Sequence, residues 1–578
     1  MVYRKHNVVI LIAFFILSLL FVFPFAKTGT VFFGDDMYYH LQRINELAMN
    51  IKQGNWFIGI YTYSFGKIGY PLNMFYPWIT LLPFALIKVI TNSTFYAAYL
   101  GISFYTFLNL TFVYWTTLKL TNRKIQSLIT AIIYSFCSYR VIDIFARFAL
   151  GEFIALTFIP LCFYGLYAII IGNEKDWTFL AAGVSLILLT HILSTIIVFV
   201  FLIAFLLIFL LFWKIEDIRA RLFAMIKAVL FAILGSAIFV IPFLEQELFQ
   251  KFAQPSKMNM VNTAVLPSQL ISQSLDNNLL KGSAGNTYNI GIILLIVLII
   301  GLIQYRKWNK LYKAIYFVGI TFLLMSTNLV PWSILQKTPL TFIQFPWRFL
   351  GLSSYLLSII GGYELSNIRI SNSKLGEISI VGSIILVLLL PWYSSVNRVT
   401  AYIFDHPQTP DYWLFTLRKN HFSTLIKSED EIFKYYYPEQ YTPKGGEYRL
   451  NLVEHHEAII SNEKVMIKDI SFKPNRITFQ SKSFTSAHNV ILPMYAYKNL
   501  KVIDKNVKPL RYTVTKDRLI NVKNSRHNNV ISVYYAMSFV DKLSVTLSIM
   551  SWIYLLIIRF LIKLFKRSKN FNATVSVR

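Results

Sequence analysis

Asp35 and Asp36, followed by His40 and Arg43, put two proton acceptors, an imidazole and a cation on one short stretch of chain. Asp36, His40 and Arg43 stand at i, i+4 and i+7, so a helix would carry them on one side, facing one spot. Met37, Leu41, Ile44, Ala48 and Ile51 supply that helix: an apolar stripe at helical period, expected to run to about Gln53 and to lie on a membrane surface or pack on another helix. A plainer reading makes Asp35 and Asp36 the N-cap and first turn, where a carboxylate accepts free backbone N–H groups and meets the positive end of the helix dipole. Adjacent aspartates with a His and a Glu nearby also offer oxygen ligands to Mg2+ or Mn2+.

Further candidates stand beside apolar runs, where an ionisable group is costly unless it is paired or used. SYRVIDIFARFALGEF supplies Arg140, Asp143, Arg147 and Glu152, and Asp143 with Arg147 at i, i+4 is also an ordinary helix ion pair. His191, in LLTHILS, is a packing imidazole or a site residue. Arg348, in QFPWRF, either snorkels to headgroups or clamps a phosphate with its fork of donors. Lys67, between Gly66 and Gly69, could reach a phosphate, while Tyr70, Tyr76 and Trp78 stack on a sugar or, more plainly, anchor the interface.

Helices in a bilayer must position these groups. The chain has 578 residues, 55% of them hydrophobic, and a mean hydropathy of +0.52. The charge of +28 comes from 56 Lys and Arg against 28 Asp and Glu. Much of it falls in short loops between apolar runs, where it sets orientation, so nucleic acid is not the expected partner. Cys137 and Cys162 lie in or beside apolar segments, which excludes a disulfide framework or a CxxC metal site. Arg4 and Lys5 before the run to Phe25 indicate a retained anchor, not a cleaved leader, with the N-terminus inside.

Hydropathy gives roughly a dozen spans. Residues 1–395 read as a helical transmembrane domain with its first outside loop at 27–74, and the turn near Arg369 and Lys374 falls inside. Residues 396–541 read as a β-rich, sandwich-like domain outside the membrane, because RLNLVEHH, RITFQSKSF and NVISVYYAM alternate like half-exposed strands. A last helix in 542–578 ends in a basic tail at Lys563, Lys566, Arg567 and Lys569, inside. One conflict remains between residues 73 and 138. Counting Phe75–Ile90 as a full span puts Lys119–Lys124 outside, whereas counting back from the C-terminus puts them inside, so one segment there is re-entrant, broken or miscounted.

A first span, an outside loop with acidic residues and a GYPLNMFYPW run resemble the YfhO-like bacterial membrane proteins, some of whose relatives carry a pterin-synthase-related domain label. These are similar to the GT-C class of glycosyltransferases. The resemblance implies a mainly α, polytopic GT-C bundle in the cytoplasmic membrane and sugar transfer on its outer side. The donor would be a polyprenyl-phosphate sugar and the acceptor an envelope glycopolymer or glycolipid. It implies a catalytic carboxylate in the first loop; Asp36, which shares a helix face with His40 and Arg43, is the preferred base for the acceptor hydroxyl, with Asp35 as the alternative base or a metal ligand. His40, Arg43, Lys67, Arg147, Glu152, His191 and Arg348 would hold substrate; the RFALGEF and QFPWRF runs and His191 look like the family's pattern at these places. A transporter or flippase of lipid-linked sugars, or a non-enzymatic polymer-binding envelope protein, are the competing readings.

Overall fold

In hydrocarbon a backbone has no hydrogen-bond partner but itself, so apolar runs of this length fold as helices. The computed structural model describes residues 2–32, 34–254, 257–280, 288–368, 373–405, 425–426, 440–524 and 528–575. Arg369 and the stretches 406–424 and 427–439 of the expected β-rich domain lie outside the described residues. Seven helices among the described residues are long and apolar enough to cross a membrane, from Val8–Ala26 to Phe539–Ile558. An eighth is formed if Lys124–Ser135 and Ser138–Ala146, bent by 44°, make one broken span. Their outward faces carry Ile203, Leu207, Leu210 and Leu211 in the open, which only lipid stabilises. The chain is a multi-pass membrane protein.

The count is lower than the expected dozen because several apolar helices are short. Ile292–Gln304 has 13 residues, a rise of about 20 Å against roughly 30 Å of hydrocarbon. The same shortness marks the segment near residue 73 on which the two counts differ. Phe75–Ile90 is not one continuous helix: a single turn, Leu72–Phe75, leads to the short helix Ile79–Thr91. Thr80 is held by Tyr105, whose hydroxyl donates to its carbonyl at 2.6 Å. Between 73 and 138 the structure thus holds one short helix, one full-length helix, Thr94–Thr121, and one bent pair, Lys124–Ser135 with Ser138–Ala146.

The bundle has two unlike ends. At one, the cationic turns lock together: Lys119 meets Asp176 at 2.8 Å, Arg123 donates to Asn367 at 2.9 Å, and Arg221 donates to the Ile169 carbonyl at 2.8 Å. Glu152 and Ile169 lie near opposite ends of the apolar segment Leu150–Ile170, so the acidic and basic candidates around Glu152 occupy the other end.

Apart from a two-residue antiparallel pairing of β1 (Val31–Phe32) with β2 (Leu425–Ile426), the strands gather at that end as a β-sandwich. Strands β3 (Glu457–Ile460), β4 (Glu463–Met466), β7 (Asn489–Tyr495), β9 (Tyr512–Val514) and β10 (Leu519–Lys523) form one antiparallel sheet in the order β4-β3-β7-β10-β9. Strands β5 (Asp469–Lys473), β6 (Arg476–Gln480), β8 (Leu500–Asp504) and β11 (Val530–Tyr535) form the other, in the order β5-β6-β11-β8. The alternation in RITFQ buries Ile477 and Phe479 as expected. RLNLVEHH does not form a strand; adjacent Leu452 and Val453 are both buried, a pattern that suits the short helix Leu450–Glu454. Asn475 fastens the sandwich to the first loop, accepting from the Gly59 N–H at 2.7 Å and donating to the Phe57 carbonyl at 2.8 Å.

Because sandwich and loop are joined in this way, a membrane-impermeant thiol reagent should modify cysteines placed at exposed Gln53 and Lys482 from the same side of the membrane. Labelling of only one of them from outside would break the arrangement.

Candidate functional site

The helix carrying the first candidates is Met37–Lys52, ending one residue short of the expected Gln53. Met37, Leu41, Ile44 and Ala48 are buried, and their face packs on the short Ile79–Thr91 helix. The N-cap is Asp36 itself, and its side chain makes no capping hydrogen bond, so capping does not account for this carboxylate. Its backbone N–H donates instead to the Arg147 carbonyl at 2.9 Å. The two segments touch because residue 34 is glycine: a Cβ there would stand 2.7 Å from the carbonyl carbon of Arg147. Burial pushes Asp36 up to about 6, against Arg147 and Arg348, which pull it down, and with Asp35 and Glu152, which push it up.

Arg147 arrives through a five-residue π-helical turn, Ile142–Ala146, of the kind often found at functional sites. Its Nη1 donates to Asp143 at 2.6 Å and to Glu152 at 3.0 Å, and its Nε lies 3.9 Å from Asp35. The i, i+4 ion pair foreseen from spacing therefore exists, but Arg147 also bridges onward. Glu152 accepts from the Tyr139 hydroxyl at 2.5 Å through one oxygen and from Arg147 and from Arg348 Nε, at 3.3 Å, through the other. Arg348 further donates to the Ile343 carbonyl at 2.9 Å and to Gln344 at 3.2 Å. It is 7% exposed, so it does not snorkel. Trp347 and Tyr288 stack at 4.0 Å, and the Arg147 guanidinium lies 4.3 Å from the Trp347 ring centre. The sequence hinted at none of these aromatic walls, because partners this far apart in the chain leave no local pattern.

His191 is the N-cap of Ile192–Phe212, its Nδ1 accepting from the Ser194 N–H. Burial, and secondarily Arg348, hold the imidazole down at about 3, so it is neutral and carries its proton on Nε2. Its ring lies 5.8 Å from Tyr76, and a Cβ at Gly151 would strike the Tyr76 hydroxyl at 2.4 Å and the His191 ring at 3.1 Å. The structure thus gathers Asp36, Arg147, Glu152, His191 and Arg348, with Asp35 at the rim.

Arg43 is placed differently from the expectation. Both Asp36 and Arg43 act on the Tyr76 phenol, but the Arg43 guanidinium turns to the loop, donating to the Pro77 carbonyl at 2.5 Å with the Tyr76 ring 4.1 Å away. His40 is 1% exposed, and burial together with Arg43 holds it neutral. Lys67 is drawn to the sandwich, its ammonium 5.3 Å from the Phe472 ring centre. Arg140 lies behind the site over Phe153 at 4.5 Å. The donor set for Mg2+ or Mn2+ is thin: among the described residues no three His, Cys, Asp or Glu gather as a metal site, and a guanidinium stands beside Asp35.

Chemically, this is a carboxylate poised near neutrality beside two fixed guanidiniums and a neutral imidazole, walled by aromatic rings. Glu152 compensates both arginines, so Glu152→Ala should destabilise the protein by about 3–5 kcal/mol. Thermal melting in detergent reads this out. An unshifted transition would mean that the two cations need no buried counter-charge.

No protein-family model matches the chain, and no curated protein matches it significantly. Among solved structures it is similar to the cryo-EM structure of arabinofuranosyltransferase AftD from Mycobacteria, at 14% identity and a TM-score of 0.44, over 68% of this chain and 28% of that one. A mutant of AftD gives 15% identity and a TM-score of 0.34, over 67% of this chain and 27% of that one. The chain spans less than a third of AftD's length.

Proposed function

We propose that this protein is a membrane glycosyltransferase of GT-C type, moving a sugar from a polyprenyl-phosphate donor to an envelope glycopolymer or glycolipid at the outer face of the cytoplasmic membrane. The observation that carries the reading is Asp36: a carboxylate raised to about 6, held at the start of a helix against Arg147 and within the field of Arg348. A base for a hydroxyl works best with a pKa near the working pH, and a departing phosphate needs fixed cations in a site of low dielectric.

In the proposed step Asp36 takes the proton of the acceptor hydroxyl while that oxygen bonds to the anomeric carbon. The bond from that carbon to the phosphate oxygen breaks, and its electron pair leaves with the polyprenyl phosphate, facing Arg147 and Arg348. The neutral His191, as an Nε2 donor, suits a sugar hydroxyl or a phosphate oxygen. A flippase of lipid-linked sugars fits less well: the ionised groups gather at one end of the bundle rather than as relays along its middle.

Asp36→Asn keeps volume and removes the base, so transfer should fall by roughly 100- to 10,000-fold with expression retained. Activity within threefold of the parent would remove Asp36 from that role, and Asp35→Asn beside it decides between the two carboxylates. The pH profile follows from the direction of the shift. A base must be unprotonated, so kcat/KM should be level above about 6 and fall tenfold per unit below it. A flat profile down to pH 5 would count against Asp36.

Arg348→Lys keeps the charge and loses the fork. Donor affinity measured on the purified variant should weaken by roughly tenfold or more. Unchanged affinity in both Arg348→Lys and Arg348→Ala would leave Arg147 as the phosphate ligand.

A further inference from the structure

The sandwich has a concavity remote in sequence from the site, and the transfer chemistry makes no use of it. Its volume is about 450 Å3, within the range of small-ligand clefts. It lies between β8 and β9, edge strands of the two sheets, and the chain that joins them is tied back to β8 by the Leu510 N–H, which donates to the Val502 carbonyl at 2.9 Å. Lys501, Arg511 and Lys523 line it with exposed cations, and the half-buried rings of Tyr512 and Tyr534, with Pro509, give it apolar walls. Among the described residues that line it none is acidic.

The walls are fixed. Lys501 and Tyr534 are paired across β8 and β11, and Lys523 N–H donates to the Arg511 carbonyl at 2.9 Å. The Tyr512 hydroxyl donates to the Leu500 carbonyl at 3.1 Å. Asp504, the nearest carboxylate in sequence to Lys501, is buried and accepts the N–H groups of Asn506 and Lys508 at 2.9 Å each, so it shapes the turn and does not neutralise the groove. Three cations around two tyrosine rings offer charge to an anion and flat apolar faces to a sugar ring. A concave wall receives a chain of rings, whereas a lipid surface would be met by a flat or convex one.

We infer that the groove between β8 and β9 is a binding site for an anionic glycan, one carrying carboxylates or phosphodiesters on its sugar chain. This stands independently of the transfer reaction, since it rests on residues outside that site. Whether the anion is a carboxylate or a phosphodiester is separated by the probes.

The test uses the purified full chain in detergent, with oligogalacturonate and a ribosyl-ribitol phosphate oligomer, whose phosphodiesters join sugar rings, as probes, and a neutral dextran oligosaccharide and inorganic polyphosphate as controls. At least one of the two anionic probes should bind, more weakly as salt rises above about 0.1 M, and dextran should not. The triple variant Lys501→Glu, Arg511→Glu and Lys523→Glu should weaken that binding by about tenfold or more. The matched triple Lys464→Glu, Lys468→Glu and Lys473→Glu removes the same charge around the opposite edges, β4 and β5, and should leave binding within twofold. Thermal melting of each variant separates loss of binding from loss of fold. Equal effects of the two triples would overturn the site in favour of diffuse charge. Polyphosphate binding as tightly as the better of the two probes would overturn the part played by the rings. Loss of binding to phosphatidylglycerol vesicles, with soluble-glycan binding unchanged, would overturn it in favour of a lipid headgroup.

Discussion

A carboxylate shared by two guanidiniums is the constraint on which the rest of the site depends. Glu152 is 3% exposed, and Arg147 and Arg348 are buried with it. An isolated charge in such surroundings costs several kcal/mol, and only a well-shaped, hydrogen-bonded pair recovers that cost. Three stretches of chain must therefore converge: the π turn that delivers Arg147, the helix start that delivers Glu152, and the 3-10 turn Pro346–Arg348. Tyr139 closes the second carboxylate oxygen. Asp36 is positioned by the same convergence, because the residue that meets Glu152 by its side chain holds Asp36 by its carbonyl.

Much of this was legible in the sequence, for a physical reason. Ionisable residues beside apolar runs are expensive, so Asp36, Arg147, Glu152 and Arg348 stand out without knowledge of the fold. Their partnerships were less legible. Helical spacing sets Arg43 near Asp36, but it cannot register that the broken backbone at Tyr76 and Pro77 leaves carbonyls needing a donor, and Arg43 goes there. Two flanking glycines suggest that Lys67 could reach a phosphate, yet the sandwich, more than 400 residues away in sequence, supplies the ring it covers.

The helices show the same division. Hydropathy finds apolar segments but does not distinguish a span from a helix that enters part-way, since both are apolar on the lipid side. Between 73 and 138, where the two ways of counting differ, stand the short helix Ile79–Thr91 and the bent pair Lys124–Ser135 and Ser138–Ala146. In the sandwich, alternation identified β6 and β11 correctly, whereas RLNLVEHH failed because its buried residues are adjacent.

The shortness of Ile79–Thr91 also bears on the surrounding lipid. Thr80 lies beside Tyr105, about 16 Å along the neighbouring helix from Thr94. There its hydroxyl meets the Leu189 carbonyl, just beyond another short helix, Thr178–Leu188. Irregular backbone at such depth survives only when protein covers it, and Leu72, Phe75 and Trp78 are buried. Leu86 and Ile90 of the short helix face outward, presenting the bilayer with an apolar height below its own thickness. Hydrophobic mismatch of this kind is relieved by thinning or by water, at fractions of a kcal/mol per Å. A charged lipid headgroup beside that flank would stand over less hydrocarbon than one beside the full-length spans.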